Sequence, residues 1–151
     1  MREQAAFSIT VRIESRLDQV RLIRAALSGV LNHLEVEEDD IHSLELAVAE
    51  LVNNSFEHGY KGAEDKHINV TLHLRGAEVE ICVCDDAPAF PEDQRYRLLD
   101  EPRSFKDTEE EWTIRGHGLR IVRELVDSIS LTTDATGNCF ALKKHVGLRE
   151  S

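Results

Sequence analysis

The chain has 151 residues, enough for one core of ordinary size, and its 41% apolar and 31% charged residues are the balance of a globular domain rather than a disordered or fibrous chain. A net charge of -11 with no block of Lys or Arg opposes docking on a phosphate backbone, which argues against nucleic acid as a partner. Apolar runs extend only a few residues where a membrane span needs about 20, and the N-terminus lacks a basic segment leading into an apolar stretch; the expectation is a cytoplasmic protein without membrane segment or signal peptide.

Phe7, Ile9, Val11 and Ile13 alternate with Ser8, Thr10 and Arg12, the period of a half-buried strand. Ser15 then offers an N-cap with Asp18 three residues on, and Leu17, Val20, Ile23, Leu27, Leu31 and Leu34 follow at helical spacing, predicting an amphipathic helix that ends near Glu35. A second helix is expected after the acidic stretch 37–40, which suits the positive end of a helix dipole, and runs to the break at Gly59-Tyr60-Lys61-Gly62. Alternation returns over 68–74 and, after Gly76, over 79–83, predicting a hairpin. Cys82 and Cys84 share one face of its second strand; with Cys139 elsewhere, the three are read as buried free thiols rather than a disulfide or metal set.

From Asp85 to Arg115 the pattern dissolves into a charged stretch with all three prolines and one short helix around 92–99, the kind of long connection that serves as a lid or binding loop. Helical spacing resumes over 116–126, and two strands near 128–133 and 139–144, joined by a turn at Thr136-Gly137-Asn138, close the chain. The order β-α-α-β-β-loop-α-β-β predicts one domain over 1–151, an α/β two-layer sandwich with a mixed, mostly antiparallel sheet and helices packed on one face.

Three polar constellations stand out. On the second helix, taking about 100° per residue with Leu44 at zero, Glu50, Asn54 and His58 fall near -120°, -80° and -40° and form a stripe flanking the core face. Asn53 falls opposite the core, so the register selects Asn54 as the inward amide. A partly buried Glu one turn from an amide suits a base or an oxygen-ligated metal, and equally a solvated helix face. Asp85 ends an apolar strand at a tight turn, where a carboxylate can accept from an amine such as a purine amino group; Asp-Asp before Pro is also an ordinary turn. Gly116-His117-Gly118 opens a helix whose free N–H groups suit phosphate, or simply gives a flexible helix start.

Together and in order, Glu-x3-Asn-x3-His-Gly-Tyr on a helix, strand-Asp-Asp, and Gly-x-Gly-Leu opening a helix after a charged loop resemble the N, G1 and G2 boxes of the GHKL (Bergerat-fold) ATPases, over residues 40–127. Within that superfamily the chain looks like the RsbW-type anti-sigma factors, small serine kinases of bacterial partner-switching systems. The resemblance implies ATP and Mg²⁺ as cofactors, Glu50 as general base near the attacking hydroxyl, Asn54 as Mg²⁺ ligand and Asp85 as reader of the adenine amino group. Ala87 joins the nucleotide site in the turn behind Asp85, and the N–H groups of Gly116, His117, Gly118, Leu119 and Arg120 cradle phosphates. His58 and Tyr60 line the pocket or brace its helix, and residues 91–115 form the lid. The implied reaction is phosphorylation of a serine on a small STAS-domain anti-anti-sigma protein, in competition with a sigma factor or equivalent regulator; a homodimer is implied as well.

One departure bears on this. The family's Asp-x-Gly-x-Gly reads here Asp85-Asp86-Ala87-Pro88-Ala89, and methyls in place of hydrogen narrow the adenine pocket and resist positive φ. A second reading therefore stands beside the kinase: a nucleotide-binding switch module that sequesters a partner without phosphorylating it.

Overall fold

The computed structural model describes residues 6–89 and 117–150; the lid expected over 91–115 and the short helix expected within it lie outside the described residues. The alternating segments form strands β1 (Ala6–Glu14), β2 (His67–Arg75), β3 (Glu78–Asp85), β4 (Ser128–Asp134) and β5 (Gly137–His145). They hydrogen-bond in the order β1-β2-β3-β5-β4. All four described pairings are antiparallel, in keeping with the mostly antiparallel sheet expected. The helices are α1 (Gln19–His33), α2 (Glu38–Asn54), continued by a π-helical turn over Ser55–Gly59, and α3 (His117–Leu125).

Strand periodicity decides the layers. Val70, Leu72, Val79, Ile81, Val83, Phe140 and Leu142 project from one face of the sheet and are buried together with Ile23, Leu27 and Leu31 of α1, Leu44, Val48, Leu51 and Val52 of α2 and Val122 of α3. Each such side chain contributes about 1.5 to 3 kcal/mol on burial, so this single layer dominates the stability. The other face carries the polar half of the alternation, including the Thr10–Thr71 hydroxyl pair at 2.9 Å and the Glu80–Lys143 ion pair at 3.6 Å.

Three expectations need correction. Ser15 does not cap α1: its buried hydroxyl donates to the Ala63 carbonyl at 2.6 Å and accepts from the Lys66 N–H at 3.1 Å, tying the end of β1 to the segment before β2. The helix starts four residues later, after Asp18, with no side-chain cap. Gly137 and Asn138 belong to β5 rather than to the turn, because the β4–β5 ladder continues to the Asp134–Gly137 pair. The cysteines are not all free: Cys84 and Cys139 form a disulfide, with Cα atoms 4.1 Å apart, and Cys82 is the free thiol. The ladder sets Cys139 directly opposite Cys84, a pairing that a separation of 55 residues conceals in the sequence.

The segment after β5 fastens the helical layer to the sheet. Glu35 adopts a left-handed conformation (φ 62) at the end of α1, and the Val36 N–H reaches back to the Leu31 carbonyl at 3.0 Å. Gly147 donates its N–H to Asp40 in the first turn of α2 at 2.7 Å, while its carbonyl accepts from the Glu37 N–H at 2.8 Å. Lys144 lies 3.7 Å from the same Asp40.

Two glycines make opposite tests of this geometry. Gly137 has φ 140, and a Cβ there would collide with the backbone of Asp85; Gly29, inside α1, would meet nothing within 4 Å. Gly137→Ala is expected to destabilise the protein by more than about 2 kcal/mol in chemical denaturation. Gly29→Ala is expected to stabilise it by roughly 0.5 to 1 kcal/mol.

Candidate functional site

The helix-two stripe is brought to the end of the central strand by a change in helical pitch. Glu50 and Asn54 are both half-buried, one turn apart near the end of α2. There the Tyr60 N–H bonds to the Ser55 carbonyl at 2.8 Å, a five-residue step that widens the last turn, and Lys61 (φ 52) and Gly62 (φ 79) end it in left-handed conformations. The widened turn sets Gly59 against the end of β3. A Cβ at position 59 would lie 3.0 Å from the Ala87 Cβ, a tight approach, and 3.5 Å from Asp85 Oδ2, an ordinary contact, so a side chain there would press chiefly on the Ala87 methyl.

Asp85 is buried, and its two oxygens are treated differently. Oδ1 accepts from the Ala87 N–H at 3.0 Å and from the Asn138 side-chain amide at 3.2 Å. Oδ2 faces Gly59. The Asn138 amide also donates to the carbonyls of Ala87 (3.3 Å) and Pro88 (3.0 Å), and its own oxygen accepts from the Thr133 hydroxyl at 2.8 Å. The turn over 86–89 therefore needs no glycine: none of its residues has positive φ, and a side chain from β5 holds it. The Ala87 methyl is buried against Gly59.

Tyr60 braces this assembly from the helix side. Its hydroxyl donates to the His67 carbonyl at 2.6 Å and accepts from the Asp86 N–H at 2.7 Å, clamping the turn after β3 to the start of β2. Burial raises the phenol above its ordinary pKa, against the Asp86 N–H, and the nearby carboxylates of Asp85 and Asp86 raise it further. The hydroxyl thus keeps the proton it donates.

Of the residues singled out in the sequence, Asp85 and Ala87 meet directly, and the turn that follows Asn54 abuts both. Arg120 lies half-buried in α3, which packs against α2. The backbone of His58 falls in the π-helical turn, and His117, Gly118 and Leu119 open α3; the side chains of His58, His117 and Leu119, and all of Gly116, lie outside the described residues. The helical wheel did not separate the two asparagines as expected. Asn53 is half-buried as well, because α2 packs against α1 and α3 besides the sheet, and its side-chain oxygen is sealed from solvent without a hydrogen-bond partner among the described residues. Asn138 and Thr133 escaped the sequence reading: in a Thr-Gly-Asn string an Asn signals a turn, and only the β3–β5 register sets it opposite Asp85.

This is an amphiphilic site. A carboxylate oxygen beside a glycine gap suits an amino donor on a flat ring, and the half-buried oxygens of Glu50 and Asn54 suit a proton or a hard cation. Among the described residues no three His, Cys, Asp or Glu side chains cluster as a metal cage.

Comparison with known proteins identifies the family. The family described as "Histidine kinase-like ATPase domain" matches residues 13–144. The serine-protein kinase RsbW of Listeria innocua is 30% identical over 126 residues, covering 83% of this chain and 80% of its own. That of Bacillus subtilis is 25% identical over 138 residues, covering 91% and 85%. Among solved structures, the RsbU and RsbW domains of a Mycobacterium tuberculosis protein superpose with TM-score 0.65 at 22% identity, over 93% of this chain and 32% of that longer one. The catalytic domain of the histidine kinase ThkA superposes with TM-score 0.56 at 14% identity, over 93% of this chain and 99% of its own. The chain belongs to the histidine kinase-like ATPase domain family, among the relatives of the serine-protein kinase RsbW.

Proposed function

We propose that the protein is a cytoplasmic Mg-ATP-dependent serine kinase that acts as a partner switch: it holds a sigma factor or equivalent regulator and phosphorylates a STAS-domain antagonist. The observation that carries this reading is the asymmetric Asp85 carboxylate, one oxygen accepting from Ala87 and Asn138 and the other turned toward Gly59. A carboxylate acceptor in that position selects an adenine amino group and rejects the carbonyl that guanine carries there. Family membership and the naming of the RsbW relatives as serine-protein kinases support the step from nucleotide pocket to phosphotransfer.

In this reading the adenine lies between β3, β5 and the π-helical turn, and the phosphates lie toward the start of α3, where the N–H groups of 116–120 are the proposed cradle. Asn54 offers its amide oxygen to Mg²⁺, which when bound offsets the negative charge of the phosphates. Glu50, one turn earlier on the same helix, takes the proton from the attacking serine hydroxyl as the serine oxygen bonds to the γ-phosphorus and the bond from that phosphorus to the β,γ-bridging oxygen breaks, so that ADP leaves. Half-burial of both residues lets that carboxylate act with less competition from water.

The second reading, a switch module without phosphotransfer, draws on one specific feature, the Ala87 methyl packed against Gly59. Incubation with the antagonist and Mg-ATP separates the two, since only the kinase leaves phosphoserine on its partner.

Three expected outcomes follow for the kinase. Glu50→Gln lowers phosphotransfer by about 10² to 10⁴-fold in a single-turnover assay while nucleotide affinity stays within roughly threefold. Unchanged phosphotransfer would remove Glu50 from the base role. Asn54→Ala abolishes the magnesium dependence of ATP binding in calorimetry; a mutant that keeps it has its metal elsewhere. Asn138→Ala leaves Asp85 Oδ1 and two carbonyls short of a donor, so stability falls by about 1 to 3 kcal/mol and ATP affinity falls with it.

A further inference from the structure

We propose that Cys84 and Cys139 form a reversible thiol–disulfide site on the helix-free face of the sheet, oxidised by low-molecular-weight disulfides, whose closed form holds the nucleotide pocket in its binding shape. The proposal rests on the reading of Asp85 as the base-recognising carboxylate.

Position is the first argument. Cys84 and Cys139 pair directly across β3 and β5, and the very next pair in that ladder is Asp85 with Asn138. Side chains alternate along a strand, so the disulfide lies on the outer face while the pocket pair lies on the inner one, one residue apart through two short stretches of backbone. Both cysteines are half-buried rather than sealed in the core.

Geometry supplies the coupling. The bond fixes the two Cα atoms at 4.1 Å. Asn138 reaches Asp85 Oδ1 at 3.2 Å and the Ala87 carbonyl at 3.3 Å, both near the outer limit for hydrogen bonds of this type. Two thiol sulfurs cannot approach as closely as two bonded ones. Reduction therefore lets the ends of β3 and β5 step apart, and a few tenths of an ångström is enough to release the Asn138 contacts that orient Asp85.

The chemistry balances as ordinary exchange. One cysteine thiolate attacks the reagent disulfide RSSR, forming a mixed disulfide and expelling one RS⁻; the second cysteine thiolate attacks the protein-bound sulfur and expels the other. Two electrons pass from the protein pair to the reagent, and the two thiol protons end on two RSH. A dithiol reverses both steps. Cys82, two residues along β3 on the same outer face, faces Ala141 instead of a third cysteine, with Glu80 Oε1 3.9 Å from its sulfur. Burial, followed by the Glu80 carboxylate, raises its pKa.

The test compares the whole chain after equilibration with glutathione disulfide or with dithiothreitol, using alkylation counted by mass, peptide mapping of the linkage, and calorimetric titration with Mg-ATP. Wild type is expected to show one alkylatable thiol when oxidised and three when reduced, with ATP binding about threefold to tenfold weaker in the reduced form, the order of one lost hydrogen bond. Cys84→Ser and Cys139→Ser are expected to bind ATP equally with and without oxidant, while Cys82→Ser keeps the full difference. Three free thiols after oxidation, a linkage through Cys82, or equal ATP affinity in the two wild-type states would each overturn the proposal. Absence of ATP binding in both states would overturn the pocket reading and the coupling together, and is distinguished from a failed thiol site by a mapped 84–139 linkage.

Discussion

A carboxylate at the buried end of a central strand must be given donors in place of the water it loses, and the arrangement around Asp85 answers that requirement. The Ala87 N–H and the Asn138 amide supply them to one oxygen and leave the other facing Gly59. Each donor is available only because of a larger feature. The Ala87 N–H points back because the turn after β3 is tight, and Asn138 arrives because β5, not β4, is the strand beside β3. The topology of the C-terminal half is thus tied to the chemistry of one side chain.

The helix side meets the same point from the opposite direction. A regular α-helix through residue 59 would not place that residue as the π-helical turn does, with its missing side chain against Asp85 and its successor Tyr60 clamping the next turn. Strand end, turn and helix end converge within a few residues. Proposed catalytic groups on α2 and a proposed base-recognising group on β3 can then belong to one pocket although no strand carries both. The latch made by 144–149 on Asp40, Glu37 and Glu35 holds the other end of α2 to the sheet, which fixes the direction in which the helix points its C-terminal residues.

Much of this was legible in the sequence. Every strand and helix in the described residues follows from period-2 or helical spacing, and Asp85, Gly59 and the Glu50–Asn54 pair stand where local pattern put them. What was hidden is what depends on register between distant strands. Asn138 looks like a turn residue until the ladder pairs it with Asp85, Cys139 looks solitary until it faces Cys84, and Ser15 looks like a helix cap until its hydroxyl is seen binding Ala63 and Lys66. Asn53 failed for a related reason: a helical wheel sees one apolar face, whereas α2 is covered on more than one side. The glycine-free turn after Asp85 likewise makes sense only with the Asn138 contacts in view, since a local sequence cannot show that a residue 50 or 51 positions away closes it.

Binding of a nucleotide base where Asp85, Gly59 and Asn138 meet is tested by a nuclear magnetic resonance titration of isotope-labelled protein with Mg-ATP and, separately, Mg-GTP. With Mg-ATP the backbone amides of Gly59 and Ala87 and the side-chain amide of Asn138 are expected to shift together and saturably, while Mg-GTP at the same concentrations leaves them in place. Shifts confined to other parts of the chain, or the same response to both nucleotides, would contradict the account.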